Sequence, residues 1–146
     1  MTCTYEYIDN WLKINLSPER YEHSLGTAEC ARELADRFGE NPEKAYFTGL
    51  IHDCAKCLPK DETLHIIKTF LNLEDGELCS PKTHHAPVGA YIAKKEFKID
   101  DEEILSAIRW HTIGKVNMTP FEKIIFLADK IETRTRPCEI CEPIRE

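Results

Sequence analysis

Three of the places where the chain sets a short polar residue before a proline open helix-like stretches: Ser17-Pro18-Glu19, Asn41-Pro42-Glu43 and Thr119-Pro120. Each pair is a helix start. The side-chain oxygen caps free backbone N–H groups, while proline, its φ already near the helical value, gives up a donor that the first turn cannot use. From the first start the helix carries Leu25, Ala28, Leu34, Ala35 and Phe38 before Gly39 ends it. The second runs through Ala45, Leu50 and Ile51, leaving HDCAK, residues 52–56, at its C-terminal end or just beyond. A further start follows Lys60, with Leu64, Ile67 and Phe70 or Leu71 on one face, and LNLEDGELCSP then reads as a loop. His85 to Lys95 is expected to be helical. Asp100 is expected to cap the next helix, whose acidic first turn, Asp101, Glu102 and Glu103, suits the positive end of the dipole and which buries Ile104, Leu105 and Ile108. Phe121, Ile124, Ile125, Ala128 and Ile131 give the last helix its apolar stripe. No run alternates as a strand would, so the fold class is all-α, a helical bundle.

A length of 146 residues suits one domain with one core. With 42% hydrophobic and 31% charged residues and no low-complexity tract, disorder is excluded. The N-terminus lacks a basic-then-apolar leader and no apolar run is long enough to cross a bilayer, which makes the cytoplasm the expected location. Seven cysteines, an odd and scattered set, are expected to be reduced thiols. A net charge of −7 argues against nucleic acid or an anionic membrane as partner, since both need a basic surface. A small anionic substrate remains compatible if metal ions or local Lys and Arg reverse the field.

Against this scaffold one set of polar residues interrupts apolar faces: His23 in RYEHSLG, His52 and Asp53 in LIHDCAK, His85 in HHAPVGA, His111 in IRWHTIGK and Asp129 in IIFLADKIE. Imidazole with carboxylate favours borderline first-row metals such as iron, zinc, manganese or nickel, and an aspartate can bridge two of them. A single histidine in such a place is usually a hydrogen-bonded core residue. A set spread over separate helices is harder to explain that way, because each buried group costs several kcal/mol unless paired or coordinated.

The order His23, His52-Asp53, His85, His111, Asp129 resembles the HD-domain metal-dependent phosphohydrolases, whose defining element is the adjacent His-Asp pair. The wording is most similar to the bacterial YqeK-type symmetrical diadenosine tetraphosphate hydrolases. It is carried by RYEHSLGTAECARELA, AYFTGLIHDCAK, HHAPVGAYIAKKEF, AIRWHTIGKVNMT and EKIIFLADKIE, most of residues 20–132. The resemblance implies a single HD domain over residues 1–146, with a metal centre between core helices and two divalent metal ions, iron foremost and zinc or manganese as alternatives. It implies His23, His52, Asp53 and Asp129 on the first ion and His85 and His111 on the second, with Asp53 bridging. Spacing leaves His84 and His85 both open, and the resemblance favours His85, which directly precedes APVGA. Asp53 and Lys56 are the expected catalytic residues, and Arg20, Lys56, Thr112, Gly114, Lys115 and Arg134 the expected substrate contacts, with Arg136 a further candidate. For Lys56 a solvated lysine and a phosphate clamp are about equally supported, the clamp requiring that the helix persist past the HD pair. His65 matches nothing in the family and is expected to face solvent.

The implied activity is hydrolysis of nucleotide phosphoanhydride bonds, diadenosine tetraphosphate being cut to two ADP. The expected partner is a small dinucleoside polyphosphate or nucleotide, and a homodimer is compatible with the resemblance. A broader nucleotide phosphatase or alarmone hydrolase and a catalytically silent nucleotide-sensing HD module are the alternatives. A rival of another class is a four-thiolate zinc site built from Cys54, Cys57, Cys138 and Cys141, disfavoured because its two pairs lie far apart in sequence and lack glycine knuckles. Two departures from the family stand out. ADKIE is followed by Thr133-Arg134-Thr135-Arg136-Pro137 rather than proline, one residue and arginine, and the chain stops at CEPIRE where family members go on into further helices, implying truncation there.

Overall fold

A computed structural model describes residues 3–73, 77 and 80–134. Among these are seven α-helices and no strand: α1 Tyr5–Asn15, α2 Pro18–Phe38, α3 Pro42–Ile51, α4 Lys60–Phe70, α5 His85–Lys95, α6 Glu102–Arg109 and α7 Pro120–Ile131. All three polar–proline pairs are helix starts. Ser17 accepts from the Arg20 amide, Asn41 from Glu43 and Lys44, and Thr119 from Glu122, whose carboxylate in turn accepts from the Thr119 amide in a capping box. Each such cap contributes about 1 kcal/mol.

The structure adds one helix and moves one boundary. Thr4 caps α1, which the sequence reading left without a start, and its Ile8 and Leu12 are wholly buried. Asp101, not Asp100, caps α6, because its carboxylate accepts from the Glu103 and Ile104 amides. Phe38 and Phe70, placed on core faces by spacing, are 64% and 57% exposed. Both are the last residue of their helix, where no further turn covers them. Of LNLEDGELCSP, residues 74–76 and 78–79 lie outside the described residues.

Helix α7 is the hub, packing against α2, α3 and α6, while α5 leans on α6. The tightest crossing is α2 on α3. A Cβ at Gly49 would stand 2.8 Å from the Ala28 Cα, so only glycine lets the two backbones approach this closely. Apolar burial around Ala28, Leu50, Ile51, Val88, Phe97, Ile108 and Ile125 closes the core, at about 1.5–3 kcal/mol per large side chain. Among the described residues no helix is long and apolar enough to cross a membrane.

Candidate metal centre

Four helices and one turn bring the six singled-out residues to one place. His23 comes from the middle of α2, His52 and Asp53 from the end of α3, His85 from the first turn of α5, His111 from just past α6 and Asp129 from the last turn of α7. His23, His52, Asp53 and His111 are essentially fully buried, and Asp129 is 7% exposed. The imidazoles form a row, His23, His52, His111, His85, with neighbouring ring centroids 5.3, 4.9 and 5.2 Å apart.

Second partners aim the rings. Nδ1 of His52 donates to the Gly49 carbonyl at 2.6 Å and Nδ1 of His111 to the Ile108 carbonyl at 2.7 Å. A carbonyl cannot donate, so both rings carry a proton on Nδ1 and turn Nε2 inward. His23 is aimed the same way by Glu132, whose carboxylate lies 2.8 Å from Nδ1. That inward side holds the aspartates. His23 Nε2 and His52 Nε2 stand 2.7 and 3.1 Å from Asp129 Oδ1. Asp53 Oδ2 lies 3.8 Å from His23 Nε2, while its Oδ1 is 3.7, 3.3 and 3.4 Å from Nε2 of His52, His85 and His111.

An Nε2 and a carboxylate oxygen at this distance share either a proton or a metal ion. Donors bound to one ion at about 2.0–2.2 Å stand about 3–3.5 Å apart, the spacing found here. His23, His52 and Asp129 form one group whose donor atoms lie within 4.8 Å of each other, and His52, Asp53 and His111 form a second. His85 joins through Asp53 Oδ1. The donor set is therefore compatible with divalent metal.

The local electrostatics point the same way. Burial acts to raise the Asp53 and Asp129 carboxyls, yet the imidazoles around them hold both well below the usual carboxylate range. Burial lowers His23, and the Asp129 and Glu132 carboxylates more than reverse it. His85 is lowered by burial, with Asp53 opposing only in part. Two cations attend the cluster: Arg20 donates to Asp53 Oδ2, and Lys130 donates to Asp129 Oδ2 at 3.0 Å.

The remaining candidates divide. The helix does not persist past the HD pair. Residues 52–57 wind as tight turns in which the Lys56 amide donates to the Asp53 carbonyl, and the Lys56 side chain is exposed near His85. Thr112 follows His111 with its hydroxyl buried and unbonded. Gly114 turns the chain at φ +73°. Lys115 is held by Glu122 and Ser106, and Arg134 by Glu29 and Glu22, so both spend their charge on the protein's own groups. His65 is exposed. Arg136, Cys138 and Cys141 lie outside the described residues. Cys54 is buried with its thiol pushed up by desolvation, a poor source of the thiolate that zinc requires, and Cys57 is exposed. Glu132 and Lys130 were not foreseen. Their signal was a carboxylate three residues after Asp129 on the same helical stripe, with a lysine between.

The HD domain family matches residues 20–134. The chain belongs to it. This HD domain is 44% identical over 124 residues to "Bis(5'-nucleosyl)-tetraphosphatase, symmetrical" of Bacillus subtilis, covering 83% of the chain and 65% of the relative. It is 42% identical over 121 residues to the protein of the same name in Halalkalibacterium halodurans, again covering 83% and 65%. The chain thus spans 65% of the length of these relatives. A crystal structure of a predicted HD superfamily hydrolase involved in NAD metabolism, from Clostridium acetobutylicum, superposes with a TM-score of 0.92 at 39% identity, covering 99% of this chain and 77% of that one.

Proposed function

We propose that this HD domain hydrolyses a phosphoanhydride bond in a dinucleoside tetraphosphate, cutting diadenosine tetraphosphate symmetrically to two ADP. The observation that carries the reading is Asp53, whose two oxygens face different histidines, in a chain more than 40% identical to two symmetrical tetraphosphatases. His23, His52, Asp53 and Asp129 would hold one divalent ion and His85 and His111, with Asp53 shared, a second. Such a pair supplies Lewis acidity that makes water a nucleophile at neutral pH and offsets phosphoryl charge. The chain's own part is positional. Buried walls keep the cluster dry and strengthen each charge interaction. Glu132 and the carbonyls of Gly49 and Ile108 hold Nδ1 of His23, His52 and His111 and turn each Nε2 inward. Arg20, at the solvent edge with a side chain 26% exposed, can pass from Asp53 to a phosphate oxygen. Lys56 lines a cleft beside His85.

We further propose iron as the native metal, residues 1–146 as one HD domain, and a cytoplasmic enzyme that pairs as a homodimer. Metal analysis of protein purified without added metal, and its mass in solution, check the first and last. The substrate is tested in oxygen-18 water with metal-loaded protein. Two ADP, one of them labelled on its terminal phosphate, is the expected outcome. ATP plus AMP would overturn symmetrical cleavage. Binding without turnover would favour a silent sensing module. Because the similar Clostridium acetobutylicum protein is a predicted hydrolase involved in NAD metabolism, the substrate panel includes dinucleotide pyrophosphates and alarmones beside the tetraphosphate.

A further inference from the structure

A cleft of about 200 Å³ opens beside His85, lined by Lys56, Lys60, Thr63, Lys82 and His84. In a chain of net charge −7 it has three lysines and no carboxylate on its walls. None of the three lysines has a carboxylate partner among the described residues. His85 forms one wall of this cleft and also reaches Asp53 Oδ1 at 3.3 Å, so the cleft adjoins the metal centre.

The helix ends tell the same story independently. Thr4, Ser17, Asn41, Asp101 and Thr119 cap α1, α2, α3, α6 and α7 through their side chains. The two helices that begin at the cleft, α4 at Pro59 and α5 at His84, have no side-chain cap. Their first-turn N–H groups and positive dipole ends are therefore not spent on a side-chain cap. Asp61 and Glu62, in the first turn of α4, are exposed and outside the lining. His84 Nε2 is buried with no hydrogen-bond partner, a polar atom awaiting one. Lysines without partners, uncapped helix starts and an orphaned imidazole nitrogen all ask for an anion.

We infer that this cleft seats the two phosphates of the departing nucleoside diphosphate and so selects which anhydride bond is cut. The inference rests on the reading under Proposed function. At about 200 Å³ the cleft is smaller than the roughly 300–1,000 Å³ of whole-ligand sites, so it takes a phosphate pair and leaves the nucleoside outside. Cleavage at the middle of a tetraphosphate sends two phosphates out on the leaving side. A cut at an outer anhydride bond would send out one phosphate or three, underfilling or overrunning the cleft.

The test compares the metal-loaded parent with Lys60→Ala/Lys82→Ala and Lys60→Arg/Lys82→Arg, metal content and melting being measured for each. Expected for the alanine pair are a KM for the tetraphosphate raised at least tenfold, kcat within about twofold, a share of ATP plus AMP among the products raised at least fivefold, and calorimetric affinity for inorganic pyrophosphate at least tenfold weaker. The arginine pair should restore most of each. If the parent cleaves symmetrically and the alanine pair keeps its KM, product ratio and pyrophosphate affinity, the cleft assignment is overturned. If the parent cleaves no dinucleoside polyphosphate while pyrophosphate binding still depends on Lys60 and Lys82, the anion site stands and the proposed substrate falls.

Discussion

Asp53 is the residue on which the centre turns, because one carboxylate faces His23 on one side and His85 and His111 on the other. Asp53→Ala is expected to lose both metals, whereas His111→Ala loses mainly one. Metal-to-protein ratios measure this, and near-full metal in Asp53→Ala would refute a shared ligand. Glu132 acts one step further out. Its carboxylate, wholly buried, accepts from Nδ1 of His23 at 2.8 Å and so turns Nε2 inward. Glu132→Gln keeps the size and removes the charge. Metal affinity should fall about 10–100-fold, read by competition with a chelating dye, with the melting temperature of the metal-free protein little changed.

At the scale of helices, two contacts place these side chains. Gly49 lets α3 lie on α2 and its carbonyl receives the His52 proton, so crossing and ligand orientation share one residue. Gly49→Ala gains helix propensity but drives a Cβ into the Ala28 backbone. The overpacking wins: stability is expected to drop about 1–3 kcal/mol, with metal retention falling alongside, and denaturant melts test it. The start of α7 carries a pH dependence. Burial raises the Glu122 carboxyl, but Ser106, the Thr119 amide and Lys115 together hold it below its ordinary 4.5. A depressed carboxyl contributes stability that is present above pH 4.5 and lost as pH falls through its folded value. Glu122→Gln should therefore be less stable than the parent at neutral pH and converge with it in acid. A constant gap from pH 7 to 3 would show that the charge contributes nothing.

For the molecule as a whole, the dry cluster joins α2, α3, α5, α6 and α7, so cation occupancy and folding are linked. Removing metal with a chelator is expected to lower unfolding free energy by about 3–4 kcal/mol relative to protein in metal at 100 to 1,000 times its dissociation constant, followed by thermal melts; equal melts with and without metal would mean that the histidines are a hydrogen-bonded core. Much of this was legible in the chain. Ser17-Pro18, Asn41-Pro42 and Thr119-Pro120 dictate helix starts through backbone donors and a locked φ, effects confined to one turn. The spacing of His23 and Asp129 on apolar stripes dictates that they point inward, because periodicity assigns a helix its buried face, whereas His52-Asp53 and His111 lie just past α3 and α6 and are aimed by the turns there. What sequence could not decide depends on neighbours brought together from afar. Glu132 meets His23 across 109 positions. Lys115 and Arg134, free cations on paper, are taken by Glu122, Glu22 and Glu29. Lys82 and His84 share a cleft with Lys56 and Lys60 only because α5 begins beside the turn that follows α3. Local preference is written residue by residue, but a charge's partner is set by whichever group the packing of helices carries to within 3 or 4 Å of it, and that is decided only when the core closes.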